Sequence, residues 1–208
     1  MTPEEILQQI HEEVQVCTRC GLYFSRKHGV SGAGPANASI MLIGEGPGFH
    51  ENETGIPFVG GSGKFLDELL EGIGLKREEI FVGNVVKCRP PGNRDPQAAE
   101  LAACDPYLER QIAAINPKVI VTLGRFSMAK FLPNAKISEV HGQALNVRGR
   151  LIVPMYHPAA ALHQRSLRPI LEADFAKLPE LIAQADAAPD YVEETPEDKS
   201  QATQLSMF

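Results

Sequence analysis

No stretch of this sequence approaches the roughly 20 consecutive apolar residues that a bilayer-crossing helix needs, so no membrane partner is expected. The start, Met1-Thr-Pro-Glu-Glu-Ile, is acidic and helix-like rather than basic then apolar, so no signal peptide is expected and the cysteines should not meet an oxidising compartment. There is no H-E-x-x-H zinc-protease motif and no recognisable Ser-His-Asp or Cys-His arrangement. The glycine loops fail the nucleotide-cofactor tests: after Gly44-Glu-Gly-Pro-Gly48, Phe49 stands where G-x-G-x-x-G needs a glycine, and Lys64 is followed by Phe65 rather than Ser or Thr. No internal repeat is present. Basic excess is missing too, since the formal net charge is −6.

That charge is unevenly placed. Asp186, Asp190, Glu193, Glu194, Glu197 and Asp198 face a single Lys199, which leaves the preceding body at −1. Lys87, Arg89, Arg94, Arg125, Arg165 and Arg168 gather near the motif loops, and a locally basic face can bind phosphates on an acidic protein. The length suits one domain, taken as residues 1–185, followed by an acidic tail over 186–208 whose composition predicts disorder.

Four cysteines are present and none is spare: Cys17 and Cys20 as C-x2-C, then Cys88 and Cys104. Such a set suggests one metal centre. Zinc usually recruits two tight pairs, and fifteen residues between Cys88 and Cys104 is loose for that. An iron–sulfur cluster accepts one tight pair plus two isolated loop cysteines. The spacing leaves both open.

Strand and helix patterns alternate. The spacing of Ile6, Ile10 and Val14 predicts a helix over Pro3–Val16. Strands are expected at 38–43, 80–86, 118–123 and 151–155, with helices at 63–72, 97–115 (interrupted by Pro106), 126–131 and 167–185. The fold class that follows is α/β, a three-layer αβα sandwich around a mainly parallel four-stranded sheet. Sites in such folds sit beyond the carboxyl ends of the strands. The distinctive residues fall there: the glycine loop 44–48, Thr54-Gly-Ile-Pro-Phe-Val-Gly60, Asn84 at the end of strand two, and Tyr156-His-Pro-Ala-Ala160 after strand four. Phe58 is the one exposed-looking aromatic of its loop. An asparagine offers a donor and an acceptor together, matching a nucleobase edge. Pro158 fixes the backbone after His157, so the imidazole is aimed.

In this order, with the four cysteines, Asn84-Val-Val-Lys-Cys-Arg-Pro-Pro-Gly-Asn-Arg-Asp-Pro96 and the other motifs, residues 14–182 resemble the uracil-DNA glycosylase superfamily, specifically its iron–sulfur family 4. The resemblance implies a 4Fe–4S cluster on Cys17, Cys20, Cys88 and Cys104, and hydrolytic release of uracil from single- or double-stranded DNA to start base excision repair. It implies that Phe58 stacks on the flipped base, Asn84 reads its edge, Gly46 offers a backbone N–H, and His157 donates toward uracil O2. Glu45 is the carboxylate expected to support catalysis, because Gly46 stands where the best-known branch has a water-positioning aspartate. Glu51 is the candidate gate against the thymine methyl. Arg89, Arg94 and Arg165 are expected on phosphates, with Leu162 at the tip of the His157 loop as a wedge into the base stack. A sister group traps uracil-containing DNA covalently through a histidine in an inserted loop. The segment 89–103 here holds no histidine, which favours hydrolysis over a trapping or silent DNA-binding protein.

The sequence ends in Gln204-Leu-Ser-Met-Phe208, which resembles the bacterial sliding-clamp-binding pentapeptide. Gln204, Leu205, Met207 and Phe208 would dock on the clamp from a flexible tether. A monomer in the bacterial cytoplasm, associated with the nucleoid, is the expected setting.

Overall fold

The structure, a computed structural model, describes residues 1–184. The Gln204–Phe208 motif and the acidic segment therefore lie outside the described residues.

The chain opens with α1 (Pro3–Val16), set by a capping box in which Thr2 Oγ1 accepts from Glu5 N and the Glu5 carboxylate accepts from Thr2 N. Pro3 occupies the first turn, where a missing N–H costs nothing. Then come β1 (Ile40–Gly44), α2 (Phe49–Thr54), α3 (Gly61–Glu71), β2 (Phe81–Asn84), α4 (Ala98–Ile115), β3 (Val119–Leu123), α5 (Arg125–Ala129), α6 (Ile137–Val140), β4 (Leu145–Val147), β5 (Arg150–Met155), α7 (Pro158–His163) and α8 (Leu167–Ala183). The sheet order is β2-β1-β3-β5-β4. Four strands are parallel. The fifth, β4, pairs antiparallel with β5 through a tight turn in which Arg148 and Gly149 both adopt positive φ. The αβα sandwich is as expected, with one strand more. That strand was hidden because three half-buried residues carry too short a pattern to read.

The central strands are buried on both faces, which explains their near-continuous apolar runs. Alternation decides which way each residue points. Ile40, Leu42, Val119, Val121, Leu151 and Val153 pack with Phe65, Leu66, Leu69, Leu70, Leu171 and Phe175 of α3 and α8. Met41, Ile43, Ile120 and Ile152 pack with Leu108, Ile112 and Ile115 of α4. A third cluster joins Ile10 and Val14 of α1 to Leu22, Val86, Cys88, Cys104 and Tyr107.

Helix α4 runs unbroken through Pro106. An interior proline costs about 3 kcal/mol of helix stability. Buried Cys104, Tyr107, Leu108, Gln111, Ile112 and Ile115 supply more than that by packing, so the expected interruption does not occur. No helix among the described residues is long and apolar enough to cross a membrane.

Candidate active site and cysteine cavity

A cavity of about 390 Å³ opens beyond the carboxyl ends of the parallel strands. Glu45, Gly46, Pro47 and Gly48 reach it from β1. Asn84, Pro90, Asn93 and Arg94 reach it from β2, His157, Ala159, Ala160 and His163 from β5, and Phe58 and Ser62 from the approach to α3. Strand order reverses direction beside β1, the place where open α/β sheets leave a crevice.

Two glycines make room for the cavity residues Asn84 and Phe58. A Cβ on Gly44 would lie 2.5 Å from Asn84 Oδ1 and 2.6 Å from Phe58 Cζ, so only glycine lets the amide and the ring edge share that spot. A Cβ on Gly63 would lie 1.9 Å from the Phe58 carbonyl oxygen. Phe58 itself has φ 53°, a strained setting for a large side chain. Glu51 holds it there. One of its carboxylate oxygens accepts from Val59 N and Gly60 N, both at 2.9 Å, and the other from Gly48 N at 3.1 Å. This buried carboxylate thus ties the two glycine loops together.

Asn84 is buried, and its Oδ1 has no hydrogen-bond partner among the described residues. Leaving such an acceptor unpaired costs about 1–3 kcal/mol. His157 caps α7 with its ring: Nδ1 accepts from Ala159 N at 3.1 Å, which leaves the proton on Nε2. Enclosure by protein pushes its pKa down to about 4, with the Glu51 charge opposing, so the ring is neutral near pH 7. Its plane lies 24° from that of Phe58, with centroids 5.7 Å apart. Gly124, at φ 94°, lets β3 pass close behind; a Cβ there would lie 3.2 Å from His157 Cβ. Glu45 is half-buried and its carboxylate makes no hydrogen bond to the described residues. Burial raises its pKa, the Asp95 charge adds to that, and Arg125 opposes.

The four cysteines line a second space, together with Arg19, Tyr23, Arg26, Lys87 and Tyr107. The space left between these side chains is small, about 10 Å³, so the four thiols crowd around it. No disulfide forms. Lys87 N donates to Cys104 Sγ at 3.2 Å, and Arg26 Nη1 to Cys88 Sγ at 3.5 Å. Burial pushes the Cys104 thiol up to about 11 and also raises Cys88. Among the described residues, no three His, Cys, Asp or Glu side chains group closely enough to hold a single metal ion.

The description of the uracil DNA glycosylase superfamily matches residues 31–180. The chain is 46% identical over 187 residues to the type-4 uracil-DNA glycosylase of Sulfurisphaera tokodaii, covering 84% of each. It is 44% identical to that of Archaeoglobus fulgidus (85% of this chain, 94% of the relative) and 42% identical to that of Thermotoga maritima (85% and 94%). The chain belongs to the uracil-DNA glycosylase superfamily.

As a superfamily member, it brings Glu45, Gly46, Glu51, Phe58, Asn84, Arg94 and His157 into one cavity. The four cysteines converge on their own space between the end of α1, the loop after β2 and α4. The charged and apolar rim is more varied. Arg94 is held by Glu100 at 2.6 and 2.9 Å, a paired setting that its sequence position did not reveal. Arg89 binds Asn93 Oδ1 at 2.6 Å and lies over the exposed Phe49 ring. Arg165 is exposed and its guanidinium has no partner among the described residues. Leu162 sits in α7 rather than at a loop tip, because Pro158 and three alanines continue as helix; it is 50% exposed. The threefold hold of Glu51 and the burial of Lys87 were missed. The offset of three residues from Gly48 to Glu51, a capping-box spacing, was the available signal for the first.

Proposed function

We propose that this chain excises uracil from DNA by hydrolysing the N-glycosidic bond and leaving an abasic site, the first step of base excision repair. The carrying observation is the buried, unpaired Asn84 Oδ1 in a cavity that also holds Phe58 and His157. Uracil N3–H supplies the donor this oxygen lacks, and the Asn84 amide N–H meets O4. Cytosine presents the reverse pattern, an acceptor at N3 and an amino group at C4, and would leave two buried mismatches.

The target nucleotide must leave the duplex, at a cost of a few kcal/mol that a mismatch lowers. Phe58 then stacks on the base. As the C1′–N1 bond breaks, its electron pair goes to the uracil ring and charge gathers on O2. Neutral His157 donates from Nε2 to that oxygen, stabilising the leaving group without first having to lose a proton. The Gly46 N–H lies in the same cavity. A side chain at position 46 would meet Val86 Cγ2 at 2.7 Å, so the catalytic carboxylate comes from next door. Glu45, with no partner of its own, orients the water that bonds to C1′ and accepts its proton. Release of uracil from labelled single- and double-stranded oligonucleotides tests this, with His157→Ala and Asn84→Ala as slow variants. No release by the wild type overturns it.

The cysteine cavity fits a 4Fe–4S cluster. Four unpaired thiols share one space, two receive N–H donors, and Arg19, Arg26 and Lys87 offset negative charge. Thiols with raised pKa values stay protonated until a metal displaces the proton. The cluster, when bound, supplies cross-linking of α1, the loop after β2 and α4, and no catalytic step. Anaerobically purified protein should be brown with equal iron and sulfide; stoichiometric zinc without iron refutes the cluster. Around the cavity, Arg89 and Arg165 meet phosphates, with Arg94 contributing if Glu100 shares it. Over residues 200–208, the terminal pentapeptide serves as a clamp-docking element. Equal clamp binding by intact and truncated protein refutes that role.

A further inference from the structure

Lys87 is a fully buried cationic side chain, at 1% exposure, and nothing in the excision chemistry uses it. All its polar groups are committed. Its N–H donates to Cys104 Sγ at 3.2 Å, and its carbonyl accepts from Val30 N at 2.7 Å. Its ammonium donates to the Asn84 carbonyl at 2.9 Å and to Gln111 Oε1 at 2.6 Å. Gln111 in turn donates from Nε2 to the Ser31 carbonyl at 2.6 Å. One residue therefore touches a sulfur of the cysteine cavity with its backbone and the backbone of the base-reading asparagine with its side chain.

Lysine is the costly choice at this spot. Burying an ammonium away from water costs several kcal/mol before its hydrogen bonds are counted. A methionine or leucine would fill the same volume at no such cost. What the ammonium adds is direction. It grips the Asn84 carbonyl three residues back, at the point where β2 ends and the chain turns toward Cys88. Gln111 sits seven residues after Cys104 on α4, so the grip is referred to the same helix that supplies a cysteine.

We propose that Lys87 is a positioning residue that fixes the Asn84 amide against the frame set by the cysteine cavity, and so couples occupancy of that cavity to recognition of the uracil edge. The inference rests on Asn84 being the base reader. The angle at which one amide meets the base is thereby referred to the residues that line the cysteine cavity.

A double-mutant cycle tests it, using Lys87→Met, Asn84→Ala and the pair in the full chain, read by single-turnover excision from single-stranded DNA. Misplacing a reactive contact by about 1 Å costs about 10²-fold, and that is the loss expected for Lys87→Met alone. In the Asn84→Ala background the same change should cost no more than about twofold, since there is no amide left to position. Equal losses in both backgrounds overturn the proposal. Asn84→Ala with wild-type activity would instead refute Asn84 as base reader, a separate and distinguishable failure. Two further readouts separate positioning from general damage. Affinity for free uracil should fall about tenfold with one weakened hydrogen bond. Affinity for DNA carrying an abasic analogue, the iron content and the visible absorbance should stay at wild-type values; loss of these alongside activity overturns positioning. Should Lys87→Met not fold, Gln111→Leu keeps the lysine and removes its outer anchor. It should show a smaller loss with the same dependence on Asn84, and an additive loss overturns the proposal.

Discussion

Replacing Gly44 with alanine is the sharpest single perturbation of the pocket. Gly44 has an ordinary φ, so the added methyl strains no backbone. Its cost is entirely contact. The new Cβ would stand 2.5 Å from Asn84 Oδ1 and 2.6 Å from Phe58 Cζ, against an ordinary contact of 3.4–4 Å. Each group must therefore withdraw by about 1 Å, and a displacement of that size costs about 10²-fold in rate. Both groups act on the same base, so the expected loss of single-turnover excision is at least about 10²-fold. Overpacking a core position costs about 1–3 kcal/mol, and 1 kcal/mol moves Tm by about 2–4 °C in a domain of this size. The variant should therefore stay folded, with Tm lower by roughly 2–12 °C. The assay is excision from a single-stranded uracil oligonucleotide, with thermal melting beside it. Gly21→Ala, where an added Cβ meets nothing within 4 Å, serves as the control. Activity of Gly44→Ala within about threefold of wild type would refute the placement of Asn84 and Phe58 over this glycine.

Four more outcomes are expected. On the acid side, excision should fall as Glu45 takes up a proton above the usual carboxylate range; in Glu45→Gln the remaining activity should hold until pH nears about 4, where His157 charges. A fall centred near 6.5 in that variant would show His157 titrating as an ordinary imidazole. Because the folded pKa of His157 lies below its unfolded one, its contribution also makes stability decline as pH drops from about 6.5 toward about 4, and urea midpoints across that window check the sign. Glu51→Gln must replace one accepting oxygen with a donor facing backbone N–H groups, so a loss of about 2–4 kcal/mol in urea unfolding is expected, and an unchanged midpoint would refute the tie between the glycine loops. Leu162→Ala should slow excision from duplex DNA more than from single strands, since only a duplex needs a wedge; equal effects would assign Leu162 to packing.

The fold was legible where strands buried on both faces leave unbroken apolar runs, as at Ile40–Ile43 and Val119–Leu123. It was illegible where an element is too short to carry a periodic pattern and rests on a few capping contacts. The helix α2 rests on the Glu51 clamp, and α7 on Pro158 and the His157 cap. The pocket residues could be named because motifs sit at strand ends, but their states could not. That Asn84 Oδ1 lacks a partner depends on atoms brought together across the fold, and that His157 Nδ1 is already engaged depends on a cap geometry that residue types alone do not announce. Arg94 shows the converse: its sequence neighbourhood reads as a free basic loop, while Glu100, six residues on, takes both guanidinium arms.

The pocket is assembled before any DNA arrives, with Phe58 locked at its unusual φ and Asn84 Oδ1 lacking a partner among the described residues. In the proposed function those groups contact the base and not the sugar. The cleaved base therefore finds the same seat as the intact nucleotide, and breaking the bond does not by itself evict it. Free uracil becomes a competitor for the enzyme that made it, and turnover inherits the leaving time of a small planar molecule. A cleft this complete at rest trades speed in the last step for fidelity in the first.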